Sequence, residues 1–147
     1  MIALDTNVII AIEEGTPECA ERALRAVERA GERGGLVICG VVYAELHARP
    51  QSTTGELDEA LRAAHIAIDL QLAIESWREA GRAYAAFARR RRAAGGDRPR
   101  RIIADFLIGA HACAVGTLVT WDAAFYRRAF PDLRVVAVNE DEGSPEP

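Results

Sequence analysis

The sequence contains no lysine; all 18 of its basic residues are arginine, set against 22 acidic ones for a net charge of −4. A net-negative chain excludes the broad basic coat that non-specific nucleic-acid binding requires. Alanine is also heavily used, so the all-arginine choice reads mainly as coding bias. It still supplies the planar, forked cation best suited to phosphate. Cysteine is scarce: Cys19, Cys39 and Cys113 are widely spaced, and no CxxC pair occurs. That excludes a disulfide scaffold and gives no zinc or redox motif, so the three read as small core residues of a reducing compartment. No apolar run approaches the roughly 20 residues of a membrane span. Met1 leads directly into an apolar run, without a basic leader or a cleavage site. The expectation is a cytoplasmic protein.

What is present is an ordinary globular composition. Of 147 residues, 50% are hydrophobic and 27% charged, which suits one domain with a substantial core. "MIAL", "LVIC", "TLVT" and "LRVVAV" are short apolar strand candidates. Between them lie helical patterns: Asn7 to Glu14, "TPECAERALRAVERAGERGG", "VVYAELHAR", "TTGELDEALRAAHIAI", "QLAIESWREAGRAYAAFARRRR", "RIIADFLIGAHACAV" and "DAAFYRRAF". Pro17 sits near the start of the second pattern, glycines stop it, and Pro50 closes the third. Apolar strands alternating with helices predict an α/β fold with a mainly parallel sheet covered on both faces. The segment between the second and third strands reads as a helical insertion. The domain is expected over residues 1–138, followed by an acidic, fraying tail over 139–147.

In such a sheet, functional groups collect outside the carboxyl ends of the strands. Four acids fall there. Asp5 ends the first strand, Glu45 lies near the start of the helix after the second, Asp105 lies in the first turns of the apolar helix, and Asp122 follows the third strand in "TWD". Each has a plain structural explanation. Asp5 can form an Asx-turn or cap the next helix, and Asp122 can be an N-cap. Asp105 can complement a helix dipole, and Glu45 can be a solvated position. Asp105 tips the balance. It is the only acid in "RIIADFLIGAHACAV", flanked by Ile103, Ala104, Phe106 and Leu107. Its face continues through Ile108, Gly109 and Ala112, which would let the helix backbone approach the sheet. Four carboxylates in one cleft repel each other and raise their pKa values. A divalent cation relieves that, and an all-oxygen donor set suits Mg²⁺ or Mn²⁺. The chemistry served is metal-assisted hydrolysis of a phosphodiester.

Two other readings stay open from the residues alone. An aspartate after the first strand also serves phosphoryl-transfer proteins, although those usually want a lysine near the later strands and this chain has none. The domain can also be a catalytically silent module that binds RNA or a partner protein.

The segments "LDTNVII", "VVYAELHAR", "IADFLIGAHA" and "VTWDAAFYRRAFPDLRVV" resemble, in order and spacing, those of PIN-domain ribonucleases, and more narrowly the VapC-type toxins of bacterial toxin–antitoxin pairs. The resemblance spans nearly the whole chain. It implies a small three-layer α/β/α sandwich, commonly homodimeric. It also implies metal-dependent endonucleolytic hydrolysis of RNA with water as nucleophile, and a small antitoxin whose tail covers the acidic cleft. Asp5 and Asp105 would be the principal metal-linked carboxylates, with Glu45 and Asp122 completing the site. Thr120 would supply a hydroxyl beside Asp122, and Asn7 would orient the acidic cluster. Trp121 is a departure, standing where relatives often carry a basic residue.

The basic run from Arg89 to Arg101 reads either as a guide for an RNA backbone or as a solvated helix end. Gly95 and Gly96 would let it adapt. His111 lies off the face of Asp105, His47 sits on the helix of Glu45, and His65 carries no signal. Trp77, Tyr84 and Phe87, at helix-face spacing, read as core or dimer surface rather than as a platform for bases.

Overall fold

The structure is a computed structural model that describes residues 1–50, 53–95 and 102–140. The expected hinge at Gly96, the basic run beyond Gly95 and the tail beyond Glu140 lie outside the described residues. The elements, in order, are β1 (Ile2–Leu4), α1 (Thr6–Glu14), α2 (Pro17–Arg33), β2 (Leu36–Cys39), α3 (Gly40–His47) and α4 (Thr54–Ala63). They continue with β3 (Ile66–Asp69), α5 (Ile74–Ala93), α6 (Ile103–Val115), β4 (Thr117–Thr120), α7 (Ala123–Ala129) and β5 (Arg134–Ala137).

The five strands form one parallel sheet in the order β3-β2-β1-β4-β5. The chain therefore moves outward from β1 through β2 to β3, then returns to start the other half at β4. Right-handed crossovers place the connections of the two halves on opposite faces. Accordingly α2 and α6 both pack on β1 and β4, one from each side, and the fold is a three-layer α/β/α sandwich. Leu4, Ile38, Leu118 and Val119 are all but inaccessible in the central strands. With both faces covered, these strands read as continuous apolar runs rather than alternating ones. α2 begins as its sequence indicates, with Pro17 in the first turn and Thr16 Oγ1 accepting from the Cys19 amide at 3.4 Å. α6 buries an unbroken run from Phe106 to Ala112. No described helix is long and apolar enough to cross a membrane.

Three expectations need correcting. The stretch "HIAI" does not continue a helix. α4 ends at Ala63, His65 takes a left-handed turn at φ 54°, and Ile66–Asp69 pairs in parallel with Leu36–Cys39. Four residues, three of them apolar, carry no decisive period, and the ladder offered by the free edge of β2 decides between the two states. The insertion before β4 thus contributes a strand as well as helices. Gly109 does not serve close approach to a strand, because the space a Cβ would take is filled by the Phe130 ring. Of the cysteines, Cys39 is buried, Cys19 is half-buried and Cys113 is exposed rather than part of the core.

Candidate active site

The topology switches between β1 and β4, whose register pairs Leu4 with Val119. A crevice outside the carboxyl ends of such a pair is the default binding position of an open α/β sheet. Asp5 follows β1 directly and Thr120 ends β4, so the two meet there. Asp5 is the N-cap residue of α1, yet its side chain makes no cap hydrogen bond, which removes the capping explanation. Its Oδ2 instead accepts from Thr120 Oγ1 at 2.7 Å and from Asn7 Nδ2 at 2.8 Å. The backbone is pinned as well, Asp5 N donating to Val119 O at 3.1 Å.

Asn7 and Thr120 are satisfied on every side. The Asn7 amide nitrogen donates to Asp5 and, at 3.3 Å, to Thr120 Oγ1. Its oxygen accepts from the Trp121 amide at 3.1 Å. The Thr120 hydroxyl gives its single proton to Asp5 and accepts from Asn7 and, at 3.0 Å, from the Asp122 amide. One hydroxyl proton and two lone pairs permit this set and little else. Thr120 therefore meets Asp122 through the backbone, while its donor goes to Asp5. Trp121 likewise enters through its backbone, and the indole packs against the core.

Asp5 is only 5% exposed. Burial pushes its carboxyl up from 3.8 to about 6, against the stabilising Thr120 hydroxyl and Thr6 amide and with further increase from the charges of Asp105 and Glu45. Asp5, Asp105 and Glu45 thus share one electrostatic neighbourhood. Thr6 is a residue that sequence reasoning missed. Its hydroxyl donates to Glu45 Oε2 across the crevice, a role hinted at only by its place between Asp5 and Asn7. Asp122 is the N-cap residue of α7, again without a side-chain cap bond.

The four acids do not close into a ready-made cage: among the described residues no three His, Cys, Asp or Glu side chains converge tightly enough to hold a metal ion. The donor chemistry nonetheless fits Mg²⁺, which keeps several waters and is usually bound by one or two carboxylates together with substrate phosphates. The crevice offers oxygen ligands and a carboxylate already oriented by two donors. The histidines stand apart from it. His47 packs its ring edge-on to Tyr43 at 4.5 Å. His111 is buried and lies 3.2 Å from Asp69 Oδ2, burial lowering its pKa against the pull of that acid. Tyr84 and Phe87 pack on Phe106, whereas Trp77 is half-exposed.

The PIN domain family model matches residues 2–131. No curated protein sequence matches the chain. Among solved structures, VapBC2 from Rickettsia felis bound to a DNA fragment from their promoter aligns at a TM-score of 0.63 and 21% identity, over 93% of this chain and 98% of that one. VapBC-1 from nontypeable Haemophilus influenzae aligns at 0.65 and 20%, over 95% and 100%. FitAcB from Neisseria gonorrhoeae aligns at 0.63 and 22%, over 94% and 98%. At these identities the likeness is one of fold. With a family match across most of its length and a parallel sheet that sets Asp5 at the switch point, the chain belongs to the PIN domain family.

Proposed function

We propose that the protein is a Mg²⁺- or Mn²⁺-dependent endoribonuclease acting in the cytoplasm as the toxin of a toxin–antitoxin pair. The observation that carries this reading is Asp5: a nearly buried carboxylate, aimed by Thr120 and Asn7 and raised by the neighbouring charges of Asp105 and Glu45. A structural aspartate in that position would be paired with a cation or spent on a cap.

In this reading Asp5 and Asp105 are the principal ligands, and Glu45 and Asp122 act partly through water. A bound divalent cation supplies a water of lowered pKa and neutralises the phosphate and leaving oxygen. The chain's own residues do the rest. Thr120 and Asn7 favour the ionised form of Asp5 and fix its direction. Thr6 holds Glu45 at the crevice wall. The test is incubation of the purified protein with labelled tRNA and structured RNAs, with Mg²⁺ or Mn²⁺ and then with EDTA. Cleavage is expected only with the cation, and it is lost in Asp5→Ala and Asp105→Ala. Persistence in EDTA or in either variant would sink the proposed site.

The toxin role draws support from the fold shared with the VapBC and FitAcB structures, and a small antitoxin would cover the acidic crevice. A reading frame for such a protein beside this one is the cheap check. A homodimer is supported by an apolar face. Leu70, Trp77 and Ile102, all at least half-exposed, line a recess of about 570 Å³ that also touches Glu45. Ile74 lies one turn before Trp77, and Ile103 follows Ile102. Exposed apolar clusters of this kind mark protein interfaces. Sedimentation of Leu70→Asp should give a smaller species than the parent; equal sedimentation coefficients would refute this face.

A further inference from the structure

We propose that Arg90, Arg91 and Arg128 form a subsite for a backbone phosphate of the RNA strand flanking the cleaved bond. The inference rests on the ribonuclease reading and deepens it by naming how the substrate strand leaves the acidic crevice.

The three arginines come from two helices. Arg90 and Arg91 lie in the last turn of α5, and Arg128 lies in the last turn of α7. They line one cavity of about 310 Å³ whose wall includes Phe87, Phe125 and Asp122. Asp122 connects this cavity to the site: its amide donates to Thr120 Oγ1, and that hydroxyl donates to Asp5 Oδ2. The basic cavity and the acidic crevice are therefore neighbours across a single residue.

Their shared cavity beside Asp122, together with the lack of an ion pair, sets these arginines apart. Arg25, Arg49, Arg62, Arg78, Arg82 and Arg127 each sit within ion-pair distance of a glutamate. Among the described residues Arg90, Arg91 and Arg128 have no such partner; the same is true of Arg22, Arg29, Arg89, Arg92 and Arg134, but none of those lines this cavity. Arg91 goes further, since its Nε is buried and has no hydrogen-bond partner among the described residues. A buried donor without an acceptor is costly, and it marks a place where an acceptor belongs. A phosphate oxygen meets that need and engages a guanidinium through two parallel bonds. A strand running from crevice to cavity would meet cation-seeking acids at the reacting phosphate and arginines at the next. The rings of Phe87 and Phe125, 6.1 Å apart, give the cavity an apolar floor beneath that charge.

The experiment separates binding from cleavage. In an Asp5→Asn background, which keeps a side-chain oxygen to accept from the Thr120 hydroxyl but removes the charge, affinity for a short labelled single-stranded RNA is measured by anisotropy across a salt series. Arg90→Ala/Arg91→Gln/Arg128→Ala should weaken binding about tenfold or more. It should also flatten the slope of log K against log salt by about 0.7, the contribution of one neutralised single-strand phosphate. Lysine at all three positions should restore most of the slope. Arg22→Ala/Arg29→Ala, on α2 and the other face of the sheet, should change neither. Circular dichroism confirms folding in each case. Unchanged affinity and slope in the triple variant, equal loss in the α2 control, or no RNA binding by the Asp5→Asn parent overturns the subsite. Weakened binding with no Mg²⁺-dependent cleavage by the unmutated protein would keep the subsite and remove the ribonuclease reading. Cleavage at unchanged kcat/KM in the triple variant would do the reverse.

Discussion

The hydroxyl of Thr120 donates to Asp5 Oδ2 at 2.7 Å, joining the ends of two adjacent parallel strands through one hydrogen bond. The same oxygen accepts from Asn7 and from the Asp122 amide. A single side chain therefore aims the buried carboxylate and ties it to the residue that opens α7. Loss of that hydroxyl should be felt in metal binding before it is felt in stability. Thr120→Val is expected to lower Mg²⁺ or Mn²⁺ affinity by about tenfold or more, the usual cost of losing a group that orients a ligand. It should also move the acid limb of the cleavage pH profile upward, because a donor to the ionised form has gone. Thr120→Ser should retain both. Calorimetric titration showing equal affinity in Val and Thr proteins would contradict this role.

The pH dependence of metal-free stability follows from Asp5. Its folded pKa is raised from 3.8 to about 6, chiefly by burial. Between those values the folded state holds a proton that the unfolded chain has released, so stability falls as pH rises through the window. The resulting penalty, on the order of 3 kcal/mol at neutral pH, is fully present above about pH 6 and absent below about 3.8. Asp5→Asn should therefore melt higher than the parent at pH 7.5 without divalent cation, and the gap should close as pH falls toward 4. Thermal unfolding across that range is the measurement; a gap that is constant with pH would mean that Asp5 is not the titrating group.

Divalent cation should stabilise the protein by mass action. At a hundredfold excess over Kd the gain is about 2.7 kcal/mol, or roughly 5–10 °C in Tm for a chain of this size. Asp5→Asn and Asp105→Asn should lose the shift. A silent module would show no shift in the parent, so a flat melting temperature with added Mg²⁺ and Mn²⁺ would favour that alternative.

Gly109 provides a purely structural test. A Cβ there would collide with the Phe130 ring, which is itself buried at the end of α7. Gly109→Ala should cost about 1–3 kcal/mol as overpacking does, read as a lower urea midpoint. Gly109→Ala with Phe130→Leu should recover part of it. The metal affinity of the folded fraction should hold, because Asp105 lies a full turn away.

The sequence by itself determined the family's fold and the first-order layout. Apolar, non-alternating strands demanded a sheet covered on both faces. "RIIADFLIGAHACAV" could only be a buried helix, and Asp105 stood out in it because a carboxylate has no local reason to be there. Asp5 alone was ambiguous, since an Asx-turn or a cap accounts for it equally well. Tertiary structure removed those options by giving its Oδ2 to Thr120 and Asn7, partners 115 and 2 residues away. The strand at Ile66–Asp69 was equally out of reach, because a four-residue run has no period and only the open edge of β2 makes it a strand. Thr6 on Glu45, Phe130 against Gly109, and Phe87 against Phe125 are contacts between distant segments. Local propensity carries no information about them, and they exist only because the parallel crossovers bring those segments to the same end of the sheet.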